Sequence, residues 1–169
     1  MAHLLVEQLR FTRAEFVRGL ECVTDEEARR RFTPMNCISW IIGHLAAQEH
    51  YLWVQRGLGE NINPELYELV GYGKPASTPP LDEMWSAWHA ITSKADTFLD
   101  TVTAERLEVH IVWQGETESE NIGTLLLRNI YHYWFHLGEA YAIRQMLDHT
   151  DLPTYVGWIP EVTVSGFCT

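Results

Sequence analysis

The run "NIYHYWFHLGEAYAIRQM", residues 129–146, narrows most sharply what this chain can become. Its aromatic and aliphatic residues recur at the three- and four-residue spacing of a helix, and no proline interrupts them. Within it stand His132 and His136, one helical turn apart on one stripe. That stripe also carries Leu125, Asn129, Glu139, Ala140, Ile143 and Leu147. The adjoining one, Ile122, Leu126, Ile130, Tyr133, Leu137 and Tyr141, is apolar. A helix with so wide an apolar face buries it, so the two imidazoles are expected to point inward.

Three further segments share this periodicity. The first runs from about His3 to Cys22 on a stripe of Leu5, Leu9, Phe16 and Leu20, and Thr24-Asp25-Glu26-Glu27 reads as a capping box opening a short helical turn. The second follows Thr33-Pro34, with Asn36 as its expected N-cap, and continues through Trp40, Leu45 and Trp53 to Gly57. The third opens at Pro79-Pro80 and runs through Trp85 and Trp88 to about Asp100. The fourth opens near Ser119 or Asn121 and continues to Asp148. Four such helices most simply make an all-α fold, an antiparallel four-helix bundle.

The connections are less regular. Leu58 to Thr78, with Pro64, Gly71, Gly73 and Pro75, is too long for an ordinary bundle loop. It is therefore either a crossover between helices two and three or a cover over a site. Residues 107–119, "LEVHIVWQGETES", read as an extended loop. The tail from Asp151, with two prolines and two glycines, is expected to be irregular and packed on the bundle by its aromatics.

A chain of 169 residues with seven tryptophans fits one domain, taken as 1–169. A net charge of −11 argues against nucleic acid or an anionic membrane surface as partner, since both require a basic footprint. No segment has the uncharged apolar length of a membrane span, and the N-terminus lacks the apolar run of a signal peptide. Cys22, Cys37 and Cys168 show no paired spacing, which suits reduced thiols in a cytoplasmic protein.

Two inward histidines at i and i+4 admit two readings. They are neutral core residues satisfied by carbonyls or side chains, or two ligands of a divalent metal, because that spacing lets two nitrogens converge. His44 bears on the choice. In "CISWIIGHLAAQEHYLW" it shares a stripe with Cys37, Ile41, Gln48 and Leu52, and Gly43 beside it would let a neighbouring backbone approach. Three inward histidines from two helices would supply three nitrogens and leave coordination positions open, as catalytic sites do. His50 falls on a different face of its helix. His89 could face the same cavity without a partner, and His3, His110 and His149 lie near segment ends or in loops. The chain has no HExxH, no ExxH pair of a di-iron bundle, no P-loop, no GxGxxG and no GxSxG.

With "SWIIGHLAAQE" at 39–49 and "TLLLRNIYHYWFHLGEAYAIRQ" at 124–145, in this order and separation, the chain resembles the DinB/YfiT-like superfamily of metal-binding four-helix bundles. The resemblance implies that one histidine of the second helix and two of the fourth bind a divalent ion, often zinc or nickel. Position by position these are His44, His132 and His136. It also implies thiol chemistry: members of known activity include thiol-dependent S-transferases and a mycothiol-dependent isomerase, which use low-molecular-weight thiols. Where the family frequently has glutamine after the HxxxH-Leu-Gly run, this chain has Glu139.

Three functions are consistent with these residues. In a metal-dependent thiol S-transferase, a divalent ion on neutral imidazoles stabilises a thiolate for attack on an electrophilic small-molecule substrate. Asn129 and Glu139, a turn to either side of the histidine pair, are candidates to orient an imidazole through its other nitrogen. Arg144 either recognises a substrate carboxylate or caps the last turn of its helix. In a metal-dependent hydrolase the same site would bind hydroxide, with Glu139 as base. The third is a non-catalytic metal- or ligand-binding bundle, paired as a homodimer through an apolar helix face.

Overall fold

The computed structural model describes residues 3–154, 156 and 157. It is mostly helical. Helix α1 spans Leu4–Gly19, α2 Asp25–Arg29, α3 Ile38–Glu49, α4 Leu66–Val70, α5 Leu81–Leu99 and α6 Ile122–Met146. A π-helical stretch, His50–Gly57, extends α3, and a 3₁₀ turn covers Glu105–Glu108. Such π-helical segments are rare and concentrate at functional sites.

The helix ends follow local chemistry. His3 caps α1 by accepting the Leu5 N–H, the Thr24–Glu27 capping box is complete, and Asn121 caps α6 through the Thr124 N–H. The cap of α3 is Cys37, which makes no side-chain cap bond, rather than Asn36. Helices α1 and α6 end at Gly19 and Met146, short of Cys22 and Asp148, because Cys22 and Asp148 adopt positive φ and turn the chain away.

Residues 110–121 are not a loop. His110–Trp113 (β1) and Glu116–Asn121 (β2) pair antiparallel, with Trp113 opposite Glu116. The two-residue connection Gln114-Gly115 has φ of 52° and 82°, the positive pair that a tight hairpin turn requires. Ser119 therefore lies in a strand, and α6 starts only after Asn121. Arg56 from the π-helix stacks between Tyr51 and Trp113 and pairs with Glu118, which fastens the hairpin to the end of α3.

Helix α1 packs on α6, and α3 packs on both α5 and α6. Phe16, Trp53 and Tyr133 lie at the centre, wholly enclosed, with Phe16 edge-on to Tyr133 at 5.3 Å. A buried polar network ties the four long helices together. Arg13 of α1 holds Glu49 of α3 and reaches Asp96 of α5 at 2.8 Å. Tyr133 of α6 donates to Glu49 at 2.7 Å and accepts from Trp88 of α5 at 2.8 Å. Every buried member has a partner, as burial of charge demands.

Beyond α6, residues 151–154 have no regular structure. The tail docks on α1: Arg18 donates to the Thr154 carbonyl and the Gly157 N–H to Glu15, each at 2.8 Å. The expected aromatic packing by Trp158, and Cys168, lie outside the described residues. Cys22 and Cys37 are free thiols. No helix among the described residues is long and apolar enough to cross a membrane.

Candidate metal centre

Helix α3 is buried around its entire circumference except at His44 and Gln48, one turn apart. Those two residues face α6, where His132 and His136 stand one turn apart in their turn. One nitrogen from each of His44, His132 and His136 lies within 4.8 Å of the others. The ring of His44 sits 5.0 Å from that of His132 and 5.1 Å from that of His136. Trp40 stacks flat on His44 at 4.4 Å, which fixes that ring's plane.

Each imidazole has a partner at Nδ1. That of His44 is the Val70 carbonyl at 2.9 Å, that of His136 is Glu139 at 2.6 Å, and that of His132 is the Gln48 amide oxygen. A carbonyl and a carboxylate accept only, so His44 and His136 carry their proton on Nδ1 and keep a lone pair on Nε2. The Nε2 atoms of His132 and His136 are 2.9 Å apart.

Burial, followed by mutual repulsion, pushes His132 down to about 4 and His136 down to about 3. Burial lowers His44 as well, against the opposing pull of the Val70 carbonyl. A carboxylate beside an imidazole ordinarily raises its pKa, and Glu139 touches His136; burial outweighs it, and raises Glu139 too. All three rings are thus neutral at ordinary pH, the form that binds metal. Three converging imidazoles with Nδ1 partners are a donor set that fits a divalent ion with open positions.

Two cavities meet at this cluster. One, of about 640 Å³, reaches from His44, Gln48 and His132 along the π-helix to Tyr67 and Tyr72. The other, of about 320 Å³, is bounded by Trp40, His44, Phe135, His136 and Glu139. Helix α4 and its flanks, within the long connection 58–78, wall the larger cavity beside the candidate centre.

Glu139 meets His136 directly, whereas Asn129 meets Gln48 and Trp53 and reaches His132 only through Gln48. His50, though on another face, also walls the larger cavity and accepts the Ile62 N–H. His89 is exposed and rests against Trp85 and Trp88, away from the cluster's cavities. Arg144 is buried, bonds the Gly19 carbonyl and His149, and lines neither of the cluster's cavities. Gly43 admits the side chains of Met84 and Val70, not a neighbouring backbone. Gln48 went unassigned from sequence; its signal was its position one turn after His44.

Converging histidines from two helices of a helical protein, flanked by cavities, define a candidate metal-binding bundle. The family model of the DinB superfamily matches residues 8–140, and the chain belongs to that superfamily. No curated protein matches the sequence.

Proposed function

We propose that this protein is a divalent-metal-dependent transferase in which His44, His132 and His136 hold zinc or nickel and a low-molecular-weight thiol is joined to an electrophilic small molecule. The observation that carries this reading is the meeting of two separate cavities at one imidazole cluster, which suits two substrates converging on a single point. Bound there, the ion would supply Lewis acidity that favours the thiolate at neutral pH.

The chain's own residues do the rest. The larger cavity holds the thiol with its sulfur at the cluster, and the smaller one holds the electrophile against Trp40 and Phe135. The sulfur attacks the electrophilic carbon; the S–C bond forms as the bond to the leaving group breaks. The thiol proton passes to Glu139, whose carboxyl, raised by burial, stands in the smaller cavity's wall.

The chain forms one domain over 1–169, with its four long helices antiparallel, and acts in the cytoplasm with reduced cysteines. The exposed row Leu127, Tyr131 and Phe135 on α6 supports pairing as a homodimer.

The test is metal-dependent consumption of chlorodinitrobenzene or monochlorobimane with a panel of low-molecular-weight thiols, abolished by chelator and restored by metal. Glu139 favours a second reading, a metal-dependent hydrolase with this carboxylate as base. Chelator-sensitive ester or amide turnover without any thiol would select it. Stoichiometric metal with neither activity would leave a non-catalytic binding protein.

A further inference from the structure

The two imidazoles of α6 differ in how their Nδ1 proton is secured. The partner of His136 is a carboxylate, which can only accept. The partner of His132 is the side-chain amide of Gln48, which donates at one end and accepts at the other. What decides which end Gln48 presents lies further away. The indole N–H of Trp53 can only donate, and it meets Asn129 at 2.9 Å. Asn129 therefore turns its oxygen to Trp53 and its NH₂ to Gln48, 3.1 Å away. Gln48 in turn must present its oxygen on that side, and the same oxygen faces Nδ1 of His132.

We infer that Gln48 is a positioning residue whose polarity, set by Trp53 through Asn129, fixes the Nδ1–H tautomer of His132 and so aims its Nε2 lone pair into the histidine cluster. The inference rests on the metal reading above for its use, though not for its geometry. Trp53 and Asn129 are fully enclosed, so water cannot substitute for either partner. Reversal of any member of the relay would put the proton on Nε2 of His132, where it would donate to Nε2 of His136 2.9 Å away and occupy the lone pair a metal needs. The relay is what holds the proton on Nδ1 against that competing bond.

Two near-isosteric substitutions separate this relay from simple electrostatics. Gln48→Glu keeps an acceptor facing both Asn129 and His132, so the tautomer stays. Asn129→Asp cannot donate, so Gln48 turns its NH₂ towards it and towards His132, and the tautomer inverts. Both add negative charge near the cluster, and charge alone would strengthen cation binding in both.

The experiment is long-range ¹H–¹⁵N NMR of the histidine rings in metal-free protein, followed by competition for zinc against a chromogenic chelator. Wild type and Gln48→Glu are expected to show His132 protonated at Nδ1 and zinc Kd values within about threefold of each other. Asn129→Asp is expected to show protonation at Nε2 and at least about tenfold weaker zinc binding. A His132 ring protonated at Nε2 in wild type, or unchanged tautomer and affinity in Asn129→Asp, overturns the inference. Should Asn129→Asp not fold, the wild-type and Gln48→Glu spectra decide alone, an Nε2–H ring in either overturning it. Zinc-free wild type with the expected tautomers would instead refute the metal reading and leave the relay standing.

Discussion

Glu139 stands one turn beyond His136 on α6 and holds its Nδ1 at 2.6 Å. This is the only charged residue bonded to the histidine cluster among the described residues. Because its side chain is 38% exposed, it contributes little to folding, and its effect should appear in metal binding. Glu139→Ala is expected to weaken zinc affinity about 10- to 100-fold while the unfolding midpoint shifts little. Chelator competition beside thermal denaturation checks both halves. Equal affinity in the two proteins would show that the contact does not tune the site.

Glu49 behaves in the opposite way. It is wholly buried, held by Arg13 and by the Tyr133 hydroxyl, and Arg13 is itself enclosed. Removing the carboxylate would break a buried ion pair, leaving the enclosed guanidinium only Asp96 and the Tyr133 hydroxyl without its acceptor. Glu49→Ala should therefore cost about 3–5 kcal/mol in urea denaturation. Tyr133→Phe, which takes one hydrogen-bonded hydroxyl from the same network, should cost about 1–2 kcal/mol. A Glu49→Ala loss below that of Tyr133→Phe would mean the network is not what binds the four helices.

How much of this was legible in the sequence varied with the range of the interaction. His132 and His136 share a helix, and Thr24 with Glu27, or Asn121 with Thr124, are three residues apart; such features are fixed by local periodicity and were readable. The hairpin is not legible despite its Gln114-Gly115 turn, because acidic β2 lacks the apolar alternation that marks a strand. The Asn129–Gln48 contact joins residues 81 positions apart, and which face of α3 meets which face of α6 follows only from packing. The same holds for His44, whose Nδ1 partner, Val70, comes from a short helix inside the long connection. The π-helical turn after Glu49, which brings His50 to the cavity wall, has no signature in the residues themselves.

Gly43 links packing to the site. A β-carbon there would collide with the Met84 sulfur and crowd Val70, whose carbonyl holds His44. Gly43→Ala is therefore expected to destabilise the protein by about 1–3 kcal/mol and to weaken metal binding together with it. Thermal melts with and without zinc measure both. Wild-type behaviour in each would show that Val70 is free to move without disturbing His44.

Acid should destabilise the metal-free protein through its histidines before it reaches the carboxylates. His132 and His136 are held at about 4 and about 3, below the ordinary imidazole value. Below about pH 6.5 the unfolded chain binds protons that the folded chain refuses, so stability falls as pH drops. Above about pH 7 these two groups are neutral in both states and contribute no slope. The unfolding midpoint of the metal-free protein should therefore be level near pH 7–8 and decline between about pH 6.5 and 4.5, less steeply in His136→Ala. An identical slope in wild type and variant would mean His136 is not held neutral by burial.

The most direct measurement is the metal content of the purified protein beside a His132→Ala variant, by elemental analysis at matched protein concentration. We expect close to one equivalent of divalent ion in the wild type and a large loss in the variant, with the helical circular dichroism of both alike. Equal metal in the two proteins, or none in the wild type after exposure to zinc and nickel, would contradict the account.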